Sequence, residues 1–275
     1  MSEKDAAAAE RARGAAIFAQ PDVVASYYAR QPYAPAAYEA LLAQVAGRRR
    51  VLDIGCGPGP VALELAPHFT EVVALDPSAG MIVAGKAADA DAHPNIRWLC
   101  ARAEDYEDPG ELDLVVAGSS IHWVDPAVIY PKLVGWTPIF AVLGNDGLFP
   151  WPPPPCGLEA WVTFIRRWNT RIGRVTPPGW GEHEEVRPPA VPHEAWMDVV
   201  GRERFRFVFR QSVSDFVTSC HSRASWAPAV MGEAVAVAFD AELTALLEPH
   251  AIDGLLELDI ITDLCWGAPR ASPHT

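Results

Sequence analysis

Val51-Leu52-Asp53-Ile54-Gly55-Cys56-Gly57-Pro58-Gly59-Pro60 passes from a short apolar segment into three alternating glycines. The pattern predicts a buried strand, a sharp turn and the start of a helix. Glycine permits positive φ and lets backbone approach backbone or ligand where a Cβ would collide. Pro58 and Pro60 stiffen the turn, and Pro60 suits a first helical position, whose missing N–H costs nothing. A cofactor cradle is the expectation, and the residues at defined distances from the turn decide what it holds.

Outward from this turn the chain alternates between strand and helix. Strands are predicted at Val51–Ile54, Glu71–Leu75, Ile96–Cys100, Leu112–Ala117 and Ile139–Leu143. Helices are predicted at Val61–Phe69, Ser78–Ala90 and Pro126–Val134. Short, almost uniformly apolar strands alternating with helices imply a parallel sheet covered on both faces. Ligands of such sheets lie at the carboxyl ends of the strands, where strand order reverses. The loops after Ile54, Leu75, Cys100 and Ala117 therefore matter most.

The flanks differ in composition. Residues 1–46 predict helical segments covering the cofactor site, with Tyr27, Tyr28 and Tyr33 either packing over a ligand or anchoring the segment to the core. Residues 47–149 form the expected binding core. Pro150-Trp151-Pro152-Pro153-Pro154-Pro155 suits neither a helix interior nor a central strand, so residues 150–203 read as an extended connection and helical lid or insertion. That lid would hold helix Leu158–Arg171, a loop from Thr176 to His193 and the piece Glu194–Val200. Residues 204–275 would complete the sheet and the acceptor pocket. There Arg204–Arg210 alternates Phe205, Phe207 and Phe209 on one side like a half-buried strand. Val213–Ser222 and Glu233–Leu247 follow as helices and Gly254–Trp266 as a closing strand.

Composition bounds the function. The 275 residues are 50% apolar, enough for a large core, and carry a formal charge of −13. A duplex-binding surface needs clustered Lys and Arg to neutralise phosphates, so nucleic acid is not an expected partner. The five cysteines form no CxxC pair or zinc spacing. His183 among Glu182, Glu184 and Glu185 reads as a solvated acidic run, and no metal is expected. Met1 to Gly14 is charged and Ala-rich without a secretory apolar stretch, and no run approaches the ~18 apolar residues of a membrane span. A reduced, soluble, cytoplasmic protein without a membrane partner is the expectation.

A dinucleotide fingerprint wants Gly or Ala where Pro60 stands. Asp53, two residues before the first glycine, suits a cationic ligand group better than a pyrophosphate. Asp76, 23 residues later at the end of the next strand, can accept both ribose hydroxyls. Together these favour a nucleoside bearing an amino acid.

With Asp76 and the acidic loop that follows the third strand, the stretch Val51–Gly59 resembles the class I S-adenosylmethionine-dependent methyltransferases. Ser119-Ser120-Ile121-His122-Trp123-Val124-Asp125 is similar to the segment after the fourth strand in the small-molecule branch that includes trans-aconitate methyltransferase-like enzymes. The likeness covers residues 25–145. It implies an α/β fold: a Rossmann-like seven-stranded, mostly parallel sheet with helices on both faces and an antiparallel last strand. It implies that Asp53, Gly55, Cys56, Gly57 and Gly59 cradle the methionine moiety. Asp76 and Pro77 would meet the ribose, Met81 the adenine face, and Ala103 with Glu104, or Asp105 in second place, the adenine edge; Ser119 joins this set. The Gly135-Trp136-Thr137-Pro138 turn departs from the Pro-Gly-Gly type usual before the fifth strand.

His122 is either a general base or a structural histidine. Trp123 either lines the pocket or packs beneath the lid. Arg223 reads as a group that grips a carboxylate or phosphate and Trp226 as an apolar wall, with Tyr28 also on the substrate side; a surface Arg and a core Trp fit the same letters. The resemblance implies methyl transfer from S-adenosylmethionine to a small molecule, first of all O-methylation of a carboxylate or hydroxyl, releasing S-adenosylhomocysteine. C- or N-methylation, a non-catalytic nucleoside-binding module and a nicotinamide-dependent dehydrogenase are the alternatives.

Overall fold

The computed structural model describes residues 9, 12, 14–107, 110–145, 154–174, 192–223 and 226–274. After a helical stretch at 14–18 come α1 (Pro21–Ser26) and α2 (Pro35–Gln44). Then follow β1 (Arg50–Ile54), α3 (Pro60–Leu65), β2 (Glu71–Asp76), α4 (Ala79–Asp89), β3 (Ile96–Cys100), β4 (Leu114–Gly118), α5 (Pro126–Trp136) and β5 (Phe140–Asn145). The chain ends with α6 (Leu158–Arg171), β6 (Met197–Ser212), α7 (Val213–His221), α8 (Pro228–Met231), α9 (Glu233–Leu247) and β7 (Leu255–Pro269).

Among the described residues seven strands form one sheet in the order β3-β2-β1-β4-β5-β7-β6. β1 to β5 pair in parallel, and β7 runs antiparallel to both β5 and β6. The order reverses between β1 and β4, which lie side by side, and this is where an open α/β sheet presents a ligand crevice. Strand alternation sorts the core. Val51, Val72, Ala74, Val116 and Leu143 pack with α2 and α3 on one face, while Leu52, Ile54, Val73, Val115 and Phe140 pack with α5 on the other. Burying a Val, Leu, Ile or Phe side chain contributes about 1.5–3 kcal/mol, so these rows fix the register.

The region beyond 149 departs from its expected outline. Glu194–Val200 is not a lid piece: Met197–Ser212 is one continuous strand, so the boundary expected at 203/204 falls inside β6. Trp161, Phe164, Ile165 and Trp168 of α6 are buried with Phe216, Phe239, Leu256 and Leu258 in a second core beside the sheet. The amphipathic face of this helix therefore builds a helical layer with α7 and α9. Phe205 and Phe207 turn inward from β6, as their period predicts, while Arg204 and Arg210 face Asp263 and Glu257 of β7 at 2.7 and 2.5 Å. Trp151 and the Glu182–Glu185 run lie outside the described residues. Before β5, the Thr137 hydroxyl donates to the Ile139 carbonyl (2.8 Å) and so closes the turn that lacks the usual glycines.

Trp98 of β3 sets a steric constraint on the glycine turn. A Cβ on Gly59, which has φ +91°, would lie 2.3 Å from its ring, and one on Gly85 of α4 would lie 2.4 Å away. Gly59→Ala should destabilise the protein by more than about 2 kcal/mol, because positive φ alone costs about 1–2 kcal/mol in an L-residue and the ring collision adds to it. Gly135→Ala at an exposed position of α5, with open space at its Cβ, should instead stabilise by up to about 1 kcal/mol. Urea unfolding of the two variants checks both signs.

Candidate functional site

The carboxyl ends of β1, β2, β3 and β4 surround a cavity of about 1240 Å³. Pockets for one small ligand run to roughly 300–1,000 Å³, so this one has room for a donor and an acceptor together. Its floor is the stretch from Asp53 to Pro58, with Asp76, Pro77 and Met81 after β2, Ala103 and Glu104 after β3, and Ser119 to Asp125 after β4.

Asp53 points to the α2/α3 face at the end of β1, among residues that are otherwise apolar. It is 1% exposed, and neither carboxylate oxygen has a hydrogen-bond partner. Burial pushes its pKa up to about 8; the nearby Ala62 amide opposes the rise weakly and the charge of Asp76 adds to it. Leaving a buried carboxylate unpaired is costly, so the site is prepared for a cation or donor that the chain does not supply. Asp76 is different. Its Oδ2 accepts the Gly57 N–H at 2.9 Å and its Oδ1 the Ser78 N–H at 2.8 Å. Burial raises its pKa while these two amides hold it down. It locks the glycine turn to the start of α4 and still has lone pairs facing the cavity.

The three glycines have separate tasks. Gly55 and Gly57 line the cavity at φ +64° and +55°. A Cβ on Gly55 would meet that of Ser120 at 2.6 Å, whereas at Gly57 it would reach only the edge of Tyr27, at 3.4 Å. Gly59 does not line the cavity. Its place in the cradle is a correction: the close approach it permits is to Trp98. Cys56 lines the wall and its N–H donates to the Leu75 carbonyl at 3.0 Å, joining the turn to β2.

On the α4 side, Met81 is buried against Val23 of α1, with its amide capped by Ser78. Ala103 and Glu104 border the same end of the cavity. Glu104 also accepts the Asp125 N–H at 2.9 Å, tying the loop after β3 to the start of α5. Asp105 is largely exposed and outside the lining. Ser119 takes φ +52° and receives the Tyr33 hydroxyl at 3.0 Å.

The cover comes from the start of the chain. Gly14 lies directly on the Trp123 indole, where a Cβ would approach to 2.1 Å, and Phe18 meets the same ring edge-on at 5.5 Å. Trp123 thus lines the cavity beneath the N-terminal segment, and Arg174 from the 150–203 region borders the same cavity. Asn145 at the end of β5 donates to the carbonyls of Gln31 (3.2 Å) and Pro32 (2.8 Å), fastening that segment to the sheet. Tyr28 borders the cavity, but its hydroxyl donates to Ala84 of α4 at 2.6 Å, so it sits by Met81 and away from the loop after β4. His122 is accessible to solvent and lines the cavity beside Trp123. The surrounding protein mass and then the charge of Arg30 lower its pKa, which keeps the ring neutral and able to accept a proton at neutral pH.

Arg223 lines the cavity, as does Arg30, which sequence reasoning passed over as one more residue of an aromatic-rich segment. Trp226 does not. It is fully buried against Phe239 in the second core, so its expected role as a pocket wall is corrected. Among the described residues one group has metal-ligand spacing, His193, Glu194 and Cys265, and it lies outside the cavity with Glu194 engaged by Arg202 at 2.9 Å. No described helix is long and apolar enough to cross a membrane.

Residues 51–133 match the family described as "Methyltransferase domain". A probable S-adenosylmethionine-dependent methyltransferase of Saccharomyces cerevisiae is 30% identical over 106 residues, 37% of this chain and 34% of its own. A ubiquinone biosynthesis O-methyltransferase of Bradyrhizobium diazoefficiens is 35% identical over 137 residues, 43% of this chain and 53% of its own. The chain thus spans about a third to a half of the length of such curated relatives. A solved structure from Anaeromyxobacter dehalogenans, named as a type II methyltransferase, shares the fold with TM-score 0.62 and 24% identity over 89% of this chain and 99% of the other. The matched segment holds the glycine turn, Asp53 and Asp76, so residues 51–133 carry a methyltransferase domain similar to that of S-adenosylmethionine-dependent enzymes.

Proposed function

We propose that the protein transfers a methyl group from S-adenosylmethionine to a small molecule, first of all to an oxygen, releasing S-adenosylhomocysteine. The observation that carries this reading is the unpartnered, buried carboxylate of Asp53 beside a glycine turn that Asp76 holds in place. When bound, S-adenosylmethionine supplies a methyl group already activated on a sulfonium. What remains for the chain is positioning and exclusion of water. Asp53 with Gly55, Cys56 and Gly57 would receive the methionine end, its ammonium satisfying the carboxylate. Asp76 and Pro77 would receive the ribose, and Met81, Ala103 and Glu104 the adenine. The N-terminal cover would shield the acceptor, with Trp123 forming a wall.

His122 is the candidate base. A hydroxyl acceptor must lose a proton as its oxygen bonds to carbon, and a neutral imidazole on the loop after β4 can take it. A carboxylate acceptor needs no base. The O-methyltransferase name of the Bradyrhizobium relative supports oxygen as the acceptor atom.

Two outcomes test this reading. Asp53 in the free protein favours its neutral form, and a cationic ammonium needs the ionised form. S-adenosylhomocysteine affinity should therefore rise from pH 6 towards 8, with proton release on binding, and Asp53→Asn should abolish that rise and weaken binding at least about tenfold. The sign for stability is opposite. Because the folded-state pKa is raised, stability of the ligand-free protein is greatest below the unfolded value and falls as pH climbs towards 8. Asp53→Asn should remove this loss and raise the melting temperature at pH 8 by at least about 2 °C. With labelled methyl donor and a panel of small acids, phenols and amines, phenol turnover should show an acidic limb below pH 6.5. His122→Asn should lose that limb and about tenfold or more in kcat, with S-adenosylhomocysteine affinity unchanged. Absence of turnover with every acceptor would contradict the assignment.

A further inference from the structure

We infer that Arg30 and Arg223 form an anion-binding subsite at the cover side of the cavity, so that the methyl acceptor carries a carboxylate or phosphate. This rests on the methyltransferase reading above and names the acceptor class it leaves open.

The two guanidinium groups come from distant parts of the chain and meet at one wall. Arg30 follows α1 in the N-terminal cover, and Arg223 lies just after α7. Arg30 is held rigidly. Its Nε donates to the Ser222 hydroxyl at 2.8 Å, its Nη2 to the Ser222 carbonyl at 2.8 Å and its Nη1 to the Tyr27 hydroxyl at 3.1 Å, with its carbon 4.2 Å from the centre of the Tyr27 ring. All three partners are neutral, and two of the five guanidinium N–H donors stay unused. The Arg223 side chain has no hydrogen bond among the described residues, and neither guanidinium comes within 4.0 Å of a carboxylate there. Burial, followed by the charge of Arg30, draws the pKa of Arg223 down to about 9. It remains charged at neutral pH, at a cost that a bound anion would relieve.

This pairing runs against composition. The chain has 35 acidic residues against 22 Lys and Arg, and several of its other arginines find them: Arg204 reaches Asp263, Arg167 reaches Glu242 and Arg270 reaches Asp198. Two neighbouring, partly enclosed guanidinium groups left without an acid are the positive counterpart of orphaned Asp53. Arg30 also lies close enough to His122 to lower its pKa, which places the subsite beside the loop after β4. Arginine forks bind carboxylate and phosphate bidentately, with geometry as well as charge. A cationic methyl donor in the same cavity attracts an anionic acceptor and repels a cationic one.

The methionine end of the cofactor is itself a carboxylate, so the test must separate two sources of one chemistry. S-adenosylhomocysteine-saturated protein is titrated calorimetrically with benzoate, citrate and inorganic phosphate, and with benzamide as a neutral control. At least one anion should bind and benzamide should not. Arg223→Gln should weaken that anion at least about tenfold, Arg223→Lys by less, with S-adenosylhomocysteine affinity within about threefold of the unaltered chain. A matching melting temperature for the Lys variant shows that the fold is kept. The proposal is overturned if none of the three anions binds, if their binding ignores Arg223→Gln, or if Arg223→Gln weakens S-adenosylhomocysteine about tenfold or more while 5′-methylthioadenosine, which lacks the amino-acid end, is unaffected. That last result assigns the guanidinium to the cofactor. All three leave methyl transfer standing; failure of the unaltered protein to bind S-adenosylhomocysteine would remove the methyltransferase reading itself.

Discussion

A carboxylate with no partner at the end of a buried strand organises this molecule. Asp53 stands in a register position that Val51 and its neighbours in β2 and β4 fill with apolar side chains, next to Ala74 and Val116. A hydrophobic residue there would pack without penalty. Keeping a carboxylate raises its pKa to about 8 and sets stability of the ligand-free protein against readiness for a cationic ligand. The surrounding devices serve the same end. Gly57 turns with positive φ so that its amide meets Asp76, and Cys56 joins the turn to β2.

Charges of both signs line the cavity: Asp53, Asp76, Glu104 and Asp125 stand at the strand ends with Arg102 beside Glu104, while Arg30, Arg174 and Arg223 come from the flanking segments. A ligand pair with a cationic end and an anionic end fits this field better than either alone, since each buried charge then meets its opposite. The cover is held by hydrogen bonds to the C-terminal part of the chain: Arg30 to Ser222, Gln31 to Gln211 at 2.8 Å, and the Ala34 amide to Thr262 at 2.8 Å. Closure of the cavity thus depends on the second core that α6, α7 and α9 build beside the sheet.

Much of the fold was legible because period and length agree. Short, β-branched apolar runs between helical patterns, such as Leu114–Gly118, read as buried parallel strands, and the stripe on Leu158–Arg171 reads as an amphipathic helix. What escaped was tertiary. Met197–Gly201 lacks the alternation that marks Phe205 to Phe209, because a bulge beside Gly201 makes room for the Trp266 ring. The face on which Trp161 and Trp168 are buried cannot be decided from their spacing, so a helix of the second core resembled a lid. In the site, Asp53 and Asp76 were legible as charges ending apolar strands. Gly59 was not, since the same positive φ serves a ligand or Trp98. Trp226 and Arg223, three residues apart, point into a core and into the cavity. Arg30 gave no local signal; only the meeting of the N-terminal segment with α7 reveals it.

The central claim is that the cavity between β1 and β4 is built for a nucleoside carrying an amino-acid cation. Calorimetric titration of the unaltered protein with S-adenosylhomocysteine and, separately, with NAD tests it most directly. The account predicts one S-adenosylhomocysteine bound per chain and no heat from NAD; binding of NAD without binding of S-adenosylhomocysteine would contradict it.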